Sequence, residues 1–195
     1  GLAIMALRGV TTQRRLLLRR KTGLVPIRDL PEPNMVDRSQ LVLALPFNVP
    51  DTALVIRTSV RPKIYLQGQG PETPARWYAE LKEVALWLTL VGPCAPTEAV
   101  TWWRMDDWIP LSSGFGWSTS FPIRGLSTYE ISGTFRDEAR DVIRLMSDAP
   151  QERKTRLRIP LERVNSAVRE QHLVDRFVAL GIPLRSRFLK DRENV

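Results

Sequence analysis

Few residues in this chain are of the types that perform catalysis or hold metal ions. Its 195 residues contain a single histidine, His172, and a single cysteine, Cys94. A structural zinc site takes four ligands, mostly cysteine and histidine, so one cysteine and one histidine argue against such a site. A lone cysteine also cannot form an internal disulfide. His172 could act as a general base, but a lone histidine beside a helix is more often a surface or capping residue. The sequence therefore predicts no catalytic residue, no metal ion and no cofactor.

Three further groups of polar residues fall short of a catalytic pattern. The segment SSGFGWS at 112–118 lacks the G-x-S-x-G spacing that presents a nucleophilic serine, and QGQGPE at 67–72 lacks the spacing of a phosphate-binding loop. Asp106 and Asp107 are adjacent, and adjacent residues of a strand point to opposite faces. We expect these two carboxylates to pair with arginines rather than to act together on a substrate.

Positive charge is concentrated at the two ends of the sequence. The net charge of +8 divides into +7 for residues 1–28, −4 for residues 29–150 and +5 for residues 151–195. The first part contains no acid and fits a solvated segment beside the first strand, which we favour, a nucleic-acid-binding arm or a mitochondrial targeting segment. The RNA contacts expected of a binding arm are Arg14, Arg15, Arg19, Arg20 and Lys21. The first 46 residues contain no aromatic side chain that could stack on bases.

The strands that would position these residues are marked by branched and aromatic side chains. Such residues predict strands at 40–47, 52–67, 99–111 and 123–133. The glycine- and serine-rich stretch at 112–122 predicts a loop. Trp102 and Trp103 could stack on bases or sugars, but tryptophan is also a frequent core residue of small sheets, and we predict that they lie in the core.

Helices are predicted where apolar residues recur at spacings of three and four. The first follows Thr73, with Tyr78 on its apolar face, and ends before Gly92. The second covers 135–146, and the polar segment that follows, 147–156, predicts a domain boundary. Pro160 is then expected to open a short helix, because proline is tolerated at the first helical position.

The last predicted helix begins at His172 and carries an apolar stripe over four turns. The stripe consists of Leu173, Phe177, Leu180, Leu184 and Phe188. A stripe of this length must be buried, so we expect these residues to contact a partner protein or a second copy of the chain.

Together these elements predict an α+β fold. We expect a basic segment at 1–28, an α+β domain at 29–150 and, at 157–195, two helices of an incomplete helical bundle. Two helices alone make a poor core.

The segment RIPLERVNSAVREQHLVDRFVALGIPLRSRFLKDRENV at 158–195 resembles the beginning of the ApeA-like HEPN domain family. The matching positions are Asp175, Phe177, Val178, Leu180, Gly181, Ile182, Leu184, Ser186, Phe188 and Leu189. HEPN domains are helical bundles, and many are ribonucleases of prokaryotic toxin or phage-defence systems. The resemblance implies RNA as the substrate and a dimer that assembles the site.

The sequence also departs from the family pattern. Pro183, Arg185 and Arg187 stand where the family carries alanine, glutamate and an apolar residue. The catalytic R-x-x-x-x-H signature is absent, because Ala167 stands five residues before the only histidine. We therefore expect a truncated or degenerate HEPN-type protein without ribonuclease activity.

The alternative is a non-enzymatic protein-binding module whose C-terminal helix docks on a partner or on a second copy. A third possibility is ligand sensing by the tryptophan-rich strand and the 112–122 loop. The single cysteine fits a reducing compartment and hence a cytoplasmic location. The longest apolar stretch, at 84–96, is too short to span a bilayer, so no membrane association is predicted.

Overall fold

The computed structural model describes residues 1–31, 50–59, 73–92, 94–104, 114–117, 128–133 and 135–169, except for the side chains of 73–75 and 114–117. The strands are β1 (Leu2–Arg8), β2 (Val10–Thr11), β3 (Leu16–Arg19), β4 (Thr22–Pro26), β5 (Thr52–Arg57), β6 (Thr97–Arg104), β7 (Gly114–Trp117) and β8 (Tyr129–Glu130). The helices are a 3₁₀ turn at Ile27–Asp29, α1 (Thr73–Leu88), α2 (Phe135–Asp148) and α3 (Gln151–Arg169). The predicted α+β class is confirmed. Within these ranges, no helix is both long and apolar enough to cross a membrane.

Six strands form one antiparallel sheet in the order β3-β4-β5-β1-β6-β7. The first strand, β1, lies inside the sheet and pairs with β5 on one side and with β6 on the other. A separate short parallel pair joins β2 to β8. The chain therefore places its earliest residues between strands that follow 50 and 95 residues later.

The prediction that residues 1–28 form a solvated segment is wrong. Ile4, Met5 and Ala6 have no exposed surface, and the segment supplies four strands. The many arginines made the apolar runs of these strands hard to recognise in the sequence, because the charged residues lie between the strands and at their ends. The apolar runs 2–7 and 16–18 are short, as expected of sheet strands that are buried.

Both faces of the sheet are buried. Met5, Leu54 and Ile56 point to the face that α1 and α2 cover and belong to the larger core. Ile4, Val55 and Trp102 belong to a second core on the opposite face. The prediction that Trp102 is a core residue is confirmed, since it is 2 % exposed. Its indole Nε1 has no hydrogen-bond partner among the described residues.

The two amphipathic helices predicted before residue 150 are confirmed, with one change of face. On α2, Ala139, Ile143 and Met146 are buried against the larger core. On α1, Trp77 is buried, whereas Tyr78 is 37 % exposed. Tyr78 was predicted on the apolar face, but its hydroxyl donates a hydrogen bond to Glu98 Oε2 at 2.7 Å.

The third helix differs from its prediction in both start and extent. α3 begins at Gln151, so the expected domain boundary at 147–156 is only a short turn before a continuous 19-residue helix. Pro160 lies inside this helix and does not open it. Leu161 and Ala167 are buried, with Leu161 in the larger core, and α3 packs against α1.

Other predictions fall partly or wholly outside the described residues. β5 confirms the first part of the strand predicted at 52–67, whereas the strand at 40–47 is outside the described ranges. Within the predicted 112–122 loop, residues 114–117 instead form strand β7, paired with β6. The strand predicted at 123–133 is represented by the two residues of β8.

Gly9, between β1 and β2, is predicted to tolerate no side chain. Its φ is +78°, and a Cβ atom there would lie 2.5 Å from the backbone oxygen of Ala95. The change Gly9→Ala adds left-handed strain of about 1–2 kcal/mol to a steric clash worth about 1–3 kcal/mol. Urea unfolding should show the loss as a lower free energy of unfolding.

Gly133→Ala is the matched control for this substitution. Gly133 has a φ of +55°, but a Cβ atom there would meet nothing within 4 Å. It should lose only the strain, about 1–2 kcal/mol. Equal losses in the two variants would contradict the close approach of Gly9 to Ala95.

Candidate functional site

The predicted RNA-contact residues lie on the hairpin formed by β3 and β4. Arg19 is opposite Thr22, so Arg20 and Lys21 form the two-residue turn that joins the strands. Arg14 and Arg15 precede β3 at its other end. About 16 Å of extended chain separates Arg15 from Arg20, at roughly 3.3 Å per residue.

Four of these five cations are available to a ligand. Arg14, Arg15, Arg20 and Lys21 are exposed, and their side chains make no hydrogen bond or ion pair in the part of the chain that the structure describes. Leu16 and Leu18, between the two cationic pairs, are almost completely buried, and this burial anchors the strand that carries them. The hairpin thus fixes two separated pairs of positive charges at the sheet edge.

Arg19 is different from its neighbours, because its guanidinium is partly buried and contacts three other residues of the protein. It forms an ion pair with Glu80 of α1 and donates hydrogen bonds to Thr22 Oγ1 at 3.0 Å and to Ser147 Oγ at 3.2 Å. These bonds connect the hairpin to α1 and to the end of α2. Arg19 therefore has a structural role in the fold, and its contact with RNA stays a prediction.

The edge of β3 is partly covered by α2. Arg140 Nε donates a hydrogen bond to the backbone oxygen of Leu17 at 3.3 Å, and the same side chain pairs with Asp137. Leu17 itself is 59 % exposed. Charged residues beside an exposed edge strand also discourage pairing with another chain, so the hairpin cations have this second explanation.

A second candidate site is a groove between α1 and α3, with a volume of about 1200 Å³. Its walls carry six cations and four acids: Arg19, Arg76, Lys82, Lys154, Arg158 and Arg169, with Glu80, Glu83, Glu98 and Glu162. The groove was not predicted from the sequence. Its walls come from β3, α1, the start of β6 and α3, which are far apart in the chain.

Three of the four acids in the groove already have partners. Glu80 pairs with Arg19, and Glu162 accepts a hydrogen bond from Arg158 at 2.9 Å. Glu98 accepts hydrogen bonds through both oxygens, from Tyr78 at 2.7 Å and from Thr101 at 2.9 Å. Burial and the neighbouring Glu98 carboxylate raise the pKa of Tyr78 to about 12, so its phenol stays protonated and keeps donating.

Four groove cations are left without an acidic partner among the described residues. Arg76 and Lys82 are exposed on α1, and Lys82 Nζ lies 5.0 Å from the centre of the Tyr78 ring. Lys154 Nζ lies 5.4 Å from the centre of the Trp87 ring and donates to the backbone oxygen of Ser147 at 2.9 Å. The fourth is Arg169, the last residue of α3.

The floor near the end of α3 is polar. Asn165 is 6 % exposed, and its Nδ2 donates hydrogen bonds to Thr89 Oγ1 and to the backbone oxygen of Pro96, both at 3.1 Å. Arg169 Nε donates to the backbone oxygen of Asn165 at 3.2 Å, and its second nitrogen to Ser166 Oγ at 3.3 Å. Burial lowers the pKa of Arg169, and none of its bonds among the described residues is to an acid.

The remaining candidates cannot be placed. His172, Asp106 and Asp107 lie outside the described residues, as does the predicted interface of Leu173, Phe177, Leu180, Leu184 and Phe188. Among the residues that are described, no three histidine, cysteine, aspartate or glutamate side chains are grouped so that they could hold a metal ion.

Comparisons with protein-family models, with curated proteins and with solved structures gave no match to this chain. The resemblance to the ApeA-like HEPN family stays a prediction.

Arg19→Ala is predicted to destabilise the protein. It removes an ion pair and two hydrogen bonds that join three elements, and we expect a loss of about 1–2 kcal/mol after allowing for partial solvent exposure. Arg20→Ala, one residue away and without such bonds, should stay within about 0.5 kcal/mol of the unchanged protein. Urea unfolding compares the two, and equal losses would contradict the structural role of Arg19.

Cys94 is predicted to be unreactive in the folded protein. It is completely buried, its Sγ donates to the backbone oxygen of Leu88 at 3.1 Å, and burial raises its pKa to about 11. At pH 8 only about one thiol in a thousand would be ionised, and the thiolate is the reactive form. A colorimetric thiol reagent should therefore titrate one thiol in denaturant and almost none before unfolding. Rapid labelling of the folded protein would contradict this burial.

Proposed function

We propose that this protein binds RNA through its phosphate backbone, using the basic hairpin of β3 and β4. The observation that carries the proposal is a set of four exposed cations at the two ends of β3 that have no acidic partner among the described residues: Arg14, Arg15, Arg20 and Lys21. Lysine and arginine side chains that neutralise phosphates release counterions, and this release supplies most of the affinity for nucleic acids without regard to sequence.

The arrangement fits a chain of phosphates better than one phosphate. The two cationic pairs are separated by about 16 Å of strand, so they would contact phosphates of different nucleotides. No aromatic side chain lies on the hairpin, because the first aromatic residue of the sequence is Phe47. Without stacking partners, binding should depend on charge and very little on base identity.

The choice of RNA rests on the resemblance of residues 158–195 to the ApeA-like HEPN family. In that family the bundle often acts on RNA, and an α+β region can precede it. We propose that the described α+β unit holds RNA beside such a bundle. No catalytic role is assigned to any residue of this chain.

The test measures RNA binding by fluorescence anisotropy as a function of salt. The unchanged protein should bind a 20-nucleotide RNA with an affinity that falls steeply as salt rises. Changing Arg14, Arg15, Arg20 and Lys21 together to glutamine should reduce the slope of log affinity against log salt by about 3, at roughly 0.7 per phosphate of a single strand. RNAs of different sequence should bind about equally, and DNA of the same sequence tests the preference for RNA.

The control variant replaces Arg153, Arg156 and Arg163 with glutamine. These arginines are also exposed and unpaired among the described residues, but they lie on the solvent side of α3. The control should keep most of the salt dependence. If both variants lost the same amount of salt dependence, the net charge of the protein, and not the hairpin, would set the affinity for RNA. Absent RNA binding, together with aggregation of the hairpin variant, would show that the cations protect the β3 edge instead.

A further inference from the structure

We infer that the groove between α1 and α3 binds a small phosphorylated molecule of nucleotide size. This site is separate from the RNA-binding surface of the hairpin, and nothing in the proposed function requires it. The inference rests on the charges left unneutralised in the groove, on the hydrogen-bonding groups of its floor and on its size.

The groove carries several cations that have no acidic partner among the described residues. Arg76, Lys82, Lys154 and Arg169 face the groove without an acidic partner among the described residues. Of the four acids, Glu83 alone accepts no hydrogen bond from a described residue, and it lies close enough to Arg158 to interact with that cation. An anionic group entering the groove therefore meets cations on both walls, while most of the carboxylates are already occupied.

Arg169 lies at the end of α3, on the wall of the groove. Its guanidinium is partly buried, and among the described residues it bonds to the backbone oxygen of Asn165 and to Ser166 Oγ without meeting an acid. A buried cation gains most from a partner of opposite charge, and a planar guanidinium offers paired donors that match the geometry of phosphate oxygens. A phosphate beside Arg169 would supply the missing counter-charge.

The groove is too large for a bare phosphate and has groups that suit the rest of a nucleotide. A volume of about 1200 Å³ is far more than one phosphate needs. The Glu98 carboxylate and the Asn165 side-chain oxygen can accept hydrogen bonds from hydroxyl or amino substituents, and the exposed Tyr78 ring offers a flat surface.

Lys154 and Arg169 both lie on α3, and the same helix offers Arg156 as a control residue outside the groove. Fifteen residues separate the two cations, which corresponds to about 22 Å along the helix axis at 1.5 Å per residue. Arg156 is exposed, unpaired among the described residues and absent from the groove lining. Arg156→Gln therefore removes the same charge from the same helix outside the groove.

The experiment is isothermal titration of the protein with the four ribonucleoside 5′-monophosphates and triphosphates, in the absence of metal. Adenosine and inorganic pyrophosphate serve as probes for the two halves of a nucleotide. We expect at least one nucleotide to bind at least about tenfold more tightly than either half alone, and Arg169→Gln to weaken that binding by about tenfold or more. Arg156→Gln should leave it within about twofold.

Lys82→Gln is a second test variant, because Lys82 is exposed and contributes only a ring contact to the fold. It should weaken nucleotide binding even if Arg169→Gln does not fold. The hairpin variant should keep nucleotide binding, so failure of the RNA proposal and failure of this one are distinguishable. The inference is overturned if no nucleotide of the set binds saturably, or if Arg156→Gln weakens binding as much as the groove variants do.

Discussion

The structure depends on burying β1 between β5 and β6. This strand has neighbours on both sides and side chains in both cores, so it contributes to each layer of the fold. Removing apolar surface from water is the main favourable term in folding, at about 25 cal/mol per Å². Because its partners come much later in the chain, the central pairing joins residues of high sequence separation, which is expected to make folding slow.

The basic hairpin follows directly from this arrangement. Once β1 is central and β5 is beside it, β4 pairs with β5, and β3 is left at the sheet edge. Leucines 16 and 18 are buried under the helices, so the charged residues before and after them are the ones exposed. Four of the seven N-terminal charges that suggested a solvated segment are therefore presented at the two ends of an ordered strand.

Local periodicity was enough to predict some elements and not others. α1, α2 and the tryptophan-bearing strand could be predicted, because each has a run of residues long enough to show its period. Tyr78 was placed wrongly because Trp77 and Tyr78 are equally aromatic, and only the position of Glu98 across the fold distinguishes them. Pro160 suggested a helix start, but tertiary packing of Leu161 and Asn165 holds the helix continuous through it.

The candidate sites were likewise predictable only where their residues lie close together in the sequence. The hairpin cations could be named from the sequence, since they lie within residues 14–21, but the structural role of Arg19 could be recognised only from its contacts with Glu80 and Ser147. The groove could not be named at all, because no local pattern connects Glu98 with Asn165. Arg19 and Lys154 both bind Ser147, so the contacts that fix the hairpin also fix one wall of the groove. Two surfaces proposed for different ligands thus depend on one set of partly buried contacts, and a loss of Arg19 would disturb both.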